Sequence, residues 1–328
     1  MSDRLIALLH NPIPPDARPD DADLIEEIRA VSGALHELGR PHATVVFDTD
    51  LSRVRRELDA LRPEAVFNLV ESFDGKGALQ YLAPALLEQW GFRYTGGTAE
   101  SLFLTTDKLL AKEFFTLKGI PTPDLFATGR CEQMMTGARY IVKPVDEDAS
   151  LGIGPDSIIA PANAAELRAL IERKDREHGV RHFAEQFIDG REFNLTVLGL
   201  NGAPQVLSPA EIQFIGFGDT RPKIVDYRAK WDENSFECEN TRRSFDLPPE
   251  DAPLLARLAD IAVRCWRDLR LAGYARVDLR VDGAGTPWVL EVNVNPCIAP
   301  DGGVAAACAR DGIGYAAFIE RVLAEALR

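Results

Sequence analysis

Long apolar runs are missing from this 328-residue chain. No stretch approaches the roughly 20 residues that span a bilayer, and the apolar run near the N-terminus is shorter than a signal peptide requires. Paired cysteines are missing as well: Cys131, Cys238, Cys265, Cys297 and Cys308 are scattered, odd in number and without a C-x-x-C. That usage argues against a disulfide framework and fits reduced thiols in a cytoplasmic setting. Basic charge is in deficit, with 37 Lys and Arg against 51 Asp and Glu, a formal net charge of −14. A nucleic-acid partner would need a compensating basic surface, whereas a few lysines can still line one cleft around a small anion. The five histidines form no group suggestive of a Ser/His/Asp nucleophile. The P-loop pattern G-x-x-x-x-G-K-[ST] is absent, and Gly152 to Ser157 only half resembles a dinucleotide fingerprint, with no helix opening there.

What is present is ordinary globular material: 46% hydrophobic and 27% charged residues, in a chain long enough for two or three lobes. In the first hundred residues short apolar runs (Leu5 to Leu9, Thr44 to Phe47, Ala65 to Val70) alternate with helical spacings. Leu24, Ile28, Val31, Leu35 and Leu38 give one such spacing, and Leu51 to Leu61 another. The alternation predicts a parallel, doubly wound α/β sheet. The texture changes near Thr98. A helix is expected over Asp107 to Leu117, strands at Arg139 to Lys143 and His182 to Phe187, and a hairpin turn at Asn201-Gly202. Asp232 to Pro249 reads as a polar, irregular segment, equally a mobile flap or a solvated loop.

The most informative stretch runs from Tyr274 to Asn293, two strands around the turn Asp282-Gly283-Ala284-Gly285. Alternation puts Val277, Leu279 and Val281 on one face with Trp288, Leu290 and Val292, and puts Arg276, Asp278, Arg280, Glu291 and Asn293 on the other. Folding at the turn sets Asp278 nearly opposite Glu291. Close carboxylates repel unless a positive group lies between them, and a few oxygen ligands suit Mg²⁺. Taken alone, the same face is equally compatible with a solvated surface. Lys143 ends a strand just before the loop Pro144 to Gly154, where an ammonium and Ser150 could meet a phosphate. Lys108 occupies the first turn of a helix, a place the helix dipole disfavours for lysine. Each lysine by itself is also explained as an exposed, solvated side chain.

Six short stretches then resemble the ATP-grasp ligases, and within them the D-alanine–D-alanine ligases. They are Asp107-Lys108, Val142-Lys143-Pro144, Glu185 to Phe193, Asp226 to Lys230, Arg276-Val277-Asp278 and Leu290 to Asn293, in the family's order and approximate spacing. The resemblance implies a three-lobed α/β fold: an N-terminal Rossmann-like domain (1–98), a central lobe (99–184) and a C-terminal lobe (185–328), with ATP between the last two. It implies that Lys108 and Lys143 contact phosphates, that Glu185, Phe187 and Ile188 form the hinge reading adenine, and that Glu192 binds the ribose. Asp278, Glu291 and Asn293 would hold two Mg²⁺ ions, with Mn²⁺ as a substitute. Arg276 and Lys230 would steady the phosphoryl group and the tetrahedral intermediate, and Ser150 would close the loop. Such a protein takes amino acids or small peptides as substrates, no nucleic acid and no membrane, and members of the family are commonly homodimers.

The substrate grips depart from the pattern. Ala149 stands where the family has serine, Trp231 where tyrosine is common, and His10 to Pro15 where a glycine-rich loop leads to a glutamate. After Asn293-Val294-Asn295-Pro296, Cys297 and Gly302 replace a glycine and a serine. These departures lead us to expect an amide-forming ligase acting on something other than two D-alanines. A true D-alanine–D-alanine ligase and a non-catalytic ATP-binding regulatory module are the alternatives; a dinucleotide oxidoreductase ranks last.

Overall fold

The computed structural model describes residues 5–13, 19–146, 152–218 and 221–328. Its first sheet is built from β1 (Ile6–His10), β2 (His42–Val46) and β3 (Ala65–Leu69), parallel and in the order β2-β1-β3. The helices α1 (Pro19–Glu37), α2 (Leu51–Leu61) and α3 (Leu82–Trp90) connect and cover it. Every residue of β1 and β3 is buried, as a parallel strand covered on both faces requires. Alternation assigns the faces. Ala7 and Leu9 pack toward α2 and α3 with Val54, Leu58 and Leu87, while Ile6 and Leu8 pack on the α1 stripe of Leu24, Val31 and Leu35.

Next come α4 (Ala99–Thr106), α5 (Lys108–Lys118), β4 (Leu125–Phe126), β5 (Tyr140–Pro144), β6 (Ile158–Ile159), α6 (Ala164–His178) and β7 (His182–Gln186). Their strands form an antiparallel sheet ordered β4-β7-β5-β6. A hinge leads into β8 (Gly190–Leu200), β9 (Ala203–Val206) and β10 (Ala210–Phe214), then α7 (Tyr227–Trp231), α8 (Phe236–Asn240) and β11 (Thr241–Ser244). The chain ends with α9 (Ala252–Asp268), β12 (Tyr274–Asp282), β13 (Pro287–Val294), α10 (Gly303–Arg310) and α11 (Tyr315–Ala326). This last sheet is antiparallel, ordered β11-β10-β8-β12-β13 with β9 on the far half of β8. The turn Asn201-Gly202 has φ of 55° and 77°, the double left-handed geometry that Asn-Gly favours.

Two expectations need correction. The stretch 232–249 is not irregular: it holds α8, capped by the Ser235 hydroxyl on the Cys238 amide, and the edge strand β11. Polar side chains on an edge strand erase the hydrophobic alternation by which a strand is read. In the hairpin, Asp278 does pair with Glu291, but the next pair is Leu279 with Val289. Leu290 is the extra residue of a β-bulge, so Val289 and not Leu290 joins Val292 in the core.

The lobes meet along the end of β13 and along α1. Gly96 and Gly97 leave no room for a side chain: a Cβ on either would lie 1.9 Å from Asn295 or Val294. Helix α11 returns to cover the first sheet, placing Phe318, Ile319 and Val322 in one core with Ile6 and Leu8. A single carboxyl staples this junction. Glu27 of α1, 3% exposed, accepts the Ile298 amide at 2.5 Å, and the Tyr315 hydroxyl donates to the Ile298 carbonyl at 2.9 Å. Burial raises the Glu27 carboxyl to about 7. A folded-state pKa above the unfolded one stabilises the protein most at low pH, and that stability is lost as pH rises toward 7. Urea unfolding of Glu27→Gln should therefore show little of this decline, gaining about 2 kcal/mol on the native protein between pH 5 and pH 8.

Candidate active site

A cavity of about 1170 Å³ opens where the three sheets converge. It is lined by every site residue expected from the sequence except Ser150, which lies outside the described residues with Ala149. Lys108 begins α5, whose Asp107 cap accepts the Leu110 amide, and its own amide is held by the Val145 carbonyl. It is 8% exposed. Lys143 comes from β5 and reaches the cavity beside it. Glu185, on β7, is 1% exposed and bonds Lys143 through Oε1 at 2.5 Å.

A second lysine meets the same carboxylate. Lys112 Nζ lies 2.5 Å from Glu185 Oε2 and donates to the Thr122 hydroxyl at 2.9 Å. Burial pushes the Glu185 carboxyl up, but Lys112 and Lys143 together outweigh it and hold it below the usual carboxylate range. Burial lowers the Lys112 ammonium by more than Glu185 raises it. Sequence reading missed Lys112, although it left a signal: a lysine on the buried stripe of α5, between Leu109 and Phe115.

Beyond β7 the hinge presents Phe187 and Ile188, and Glu192 follows on β8. Glu192 is bonded by Arg280, 3% exposed, another residue to which the sequence reading gave no function. At the other end of the hairpin Arg276 grips Asp278 with two parallel bonds of 2.8 Å. Asn194 donates to Asp278 at 2.7 Å, and Asn293 Nδ2 donates to Asp278 at 2.9 Å and to Glu291 at 3.1 Å. The amide thus sits between two carboxylates, where a hard cation would be held by their oxygens. Burial raises the Asp278 carboxyl despite Arg276. Burial also opposes ionisation of Glu291, yet Lys108, Lys143, Lys230 and Arg276 hold it down at about 2. Lys230 comes from α7, which Asp226 caps by accepting the Ala229 amide.

The far wall is formed by Asp23, Arg243, Cys297 and Gly302. Arg243 of β11 donates to the Asp301 carbonyl at 3.3 Å. Burial and Glu27 raise the Cys297 thiol well above its ordinary value, so it stays protonated and makes a poor nucleophile. No helix among the described residues is long and apolar enough to cross a membrane.

Three converging sheets with the charged cleft between them make this an ATP-grasp fold. A crystal structure of D-alanine–D-alanine ligase from Bacillus anthracis complexed with ATP superposes with a TM-score of 0.73, covering 99% of this chain and 98% of that one at 19% identity. The enzyme from Coxiella burnetii gives 0.70 at 16% identity, with 99% and 95% covered. The family model described as D-ala D-ala ligase C-terminus matches residues 126–324. D-alanine–D-alanine ligase of Bordetella petrii is 32% identical over 86% of this chain and 81% of its own length; that of a Marinomonas species is 33% identical over 73% and 70%. An uncharacterized protein of Sinorhizobium fredii, y4sG, is 29% identical over 90% and 85%. The chain belongs to the D-alanine–D-alanine ligase family of ATP-dependent C–N ligases.

Lys112→Met leaves Glu185 short of one partner in a fully buried site, a change that should cost about 3 kcal/mol in denaturant unfolding. Lys112→Met/Glu185→Gln should recover part of that loss, because a neutral amide at 185 no longer has to be held as a buried carboxylate by Lys143 alone.

Proposed function

We propose that the protein is a D-alanine–D-alanine ligase, forming an amide bond between two D-alanines at the expense of ATP in the cytoplasm. The observation that carries this reading is the pair of relatives of that name, at 32% and 33% identity over most of the chain, joined to a cavity lined by the residues that the resemblance assigns to the site. Their names support two D-alanines over the other substrates that Ala149, Trp231, Cys297 and Gly302 led us to expect. The lobes 1–98, 99–184 and 185–328 remain our working division.

ATP would lie between the central and C-terminal sheets, adenine at Glu185, Phe187 and Ile188, ribose at Glu192, phosphates at Lys108 and Lys143. Asp278, Glu291 and Asn293 form an oxygen-rich donor set suited to Mg²⁺, two ions by resemblance, with Mn²⁺ as a substitute. Bound there, the metal neutralises phosphate charge. A carboxylate oxygen of the first substrate attacks the γ-phosphorus and ADP leaves, giving an acyl phosphate. The amine of the second then attacks the acyl carbon, loses a proton and expels phosphate. Arg276 and Lys230 supply positive charge where oxyanions develop, and Ser150 would draw its loop over the phosphates. The residue departures favour one second reading, a ligase for another small amino acid or dipeptide.

Phosphate release from ATP and Mg²⁺ across D- and L-amino acids and dipeptides decides between them. D-alanine should stimulate turnover and yield D-alanyl-D-alanine, and Glu291→Gln should lower kcat about a hundredfold or more. Stimulation by a different amino acid, with D-alanine silent, would overturn the reading in favour of the second.

A further inference from the structure

Arg280 is a buried cation to which the reaction above gives no task. It lies on β12 two residues beyond Asp278, and all its partners belong to segments that line the proposed nucleotide site. Nε and Nη2 bond Glu192 Oε2 at 3.1 and 2.7 Å, and Nη1 bonds the Ile188 carbonyl at 2.8 Å. Nη2 also donates to the Lys223 carbonyl, and the guanidinium carbon lies 5.2 Å from the centre of the Phe187 ring. Burying a guanidinium is costly unless its donors are satisfied, and here one planar fork satisfies them on three separate segments.

We infer that Arg280 is the positioning residue for the nucleoside half of ATP. The inference rests on the nucleotide reading given above. Both bonds to Glu192 fall on Oε2, so the clamp turns the carboxylate while leaving Oε1 out of it. A ribose hydroxyl donating to Oε1 would then meet an acceptor already fixed in place, without the entropy cost of ordering a glutamate side chain on binding. The bond to Ile188 fixes the hinge peptide in the same stroke, so sugar and base are received by one preset unit. The bond to Lys223 ties that unit to the segment leading through Asp226 to Lys230. Lysine at 280 could hold one of these acceptors as a point charge but could not fork across all three; methionine could hold none.

The test compares the affinity of the full-length protein for ATP and for 2′,3′-dideoxy-ATP, each with Mg²⁺, by calorimetry on wild type, Arg280→Lys and Arg280→Met. Wild type should prefer ATP by about tenfold, the worth of a charge-assisted bond to the ribose hydroxyls. Arg280→Met should narrow that preference to about twofold, with Arg280→Lys between. A merely structural arginine would weaken both nucleotides alike and leave the ratio unchanged, and an unchanged ratio in the variants overturns the inference. So does a wild type that binds both nucleotides equally. Should Arg280→Met fail to fold, Arg280→Lys carries the comparison. A wild type that binds ATP not at all removes the nucleotide reading itself, an outcome distinct from a ratio that fails to move.

Discussion

The opposition of Asp278 and Glu291 across β12 and β13 sets the charge balance of the whole cleft. Burial opposes ionisation of both carboxyls, and each makes ionisation of the other harder. Cations therefore converge on them, Arg276 from the same strand and, from distant parts of the chain, Lys108 of α5, Lys143 of β5 and Lys230 of α7. The fold can be understood as the scaffold that brings these charges together. The two carboxyls respond oppositely, Asp278 raised and Glu291 lowered, because most of the lysine field falls on Glu291. Such a pair titrates as one unit.

Two more buried ion groups line the cleft, Lys112–Glu185–Lys143 and Arg280–Glu192. Buried ion pairs contribute little net stability against apolar replacements, but removing one partner exposes the full cost of the other. The arrangement is therefore a constraint more than a source of stability. A carboxylate lost from the cleft leaves its cations without their partner, which keeps the segment after β7, Lys108, Lys143 and the carboxylate pair in one mutual geometry.

What could be read from the sequence follows the range of the physical signal. The register of Asp278 with Glu291 was legible because alternation and a glycine turn are local. So were the buried strands of the first lobe and the turn at Asn201-Gly202. The return of α11 over the first sheet was not, because an amphipathic helix announces an apolar face without naming its partner. Edge strand β11 was hidden by its polar residues, and α10 by a run of alanines with little periodicity. Lys112 was legible in principle, since a lysine in an apolar stripe needs a buried counter-charge, but its partner Glu185 lies some seventy residues away. One part of the cavity lining is the least local of all: Asp23, Arg243, Cys297 and Gly302 come from separate parts of the chain.

The bulge at Leu290 shows why strict alternation was insufficient. A regular strand sends consecutive side chains to opposite faces, so it cannot offer both an apolar contact and a carboxylate to one cleft from adjacent positions. One extra residue removes that restriction. Leu290 and Glu291 both line the cavity, while Val289 and Val292 stay in the core. β13 is also the last strand of its sheet, and its outer edge is not left open. The Val289 amide donates to the Pro121 carbonyl at 2.7 Å, and its carbonyl accepts the Thr122 hydroxyl at 2.9 Å and Lys112 at 3.5 Å. The segment that closes the edge of β13 therefore also anchors the lysine that balances Glu185. Through that one carbonyl, the strand bearing the carboxylate of the candidate metal site and the strand leading to the hinge are fixed against the same helix, α5, whose first residue is Lys108.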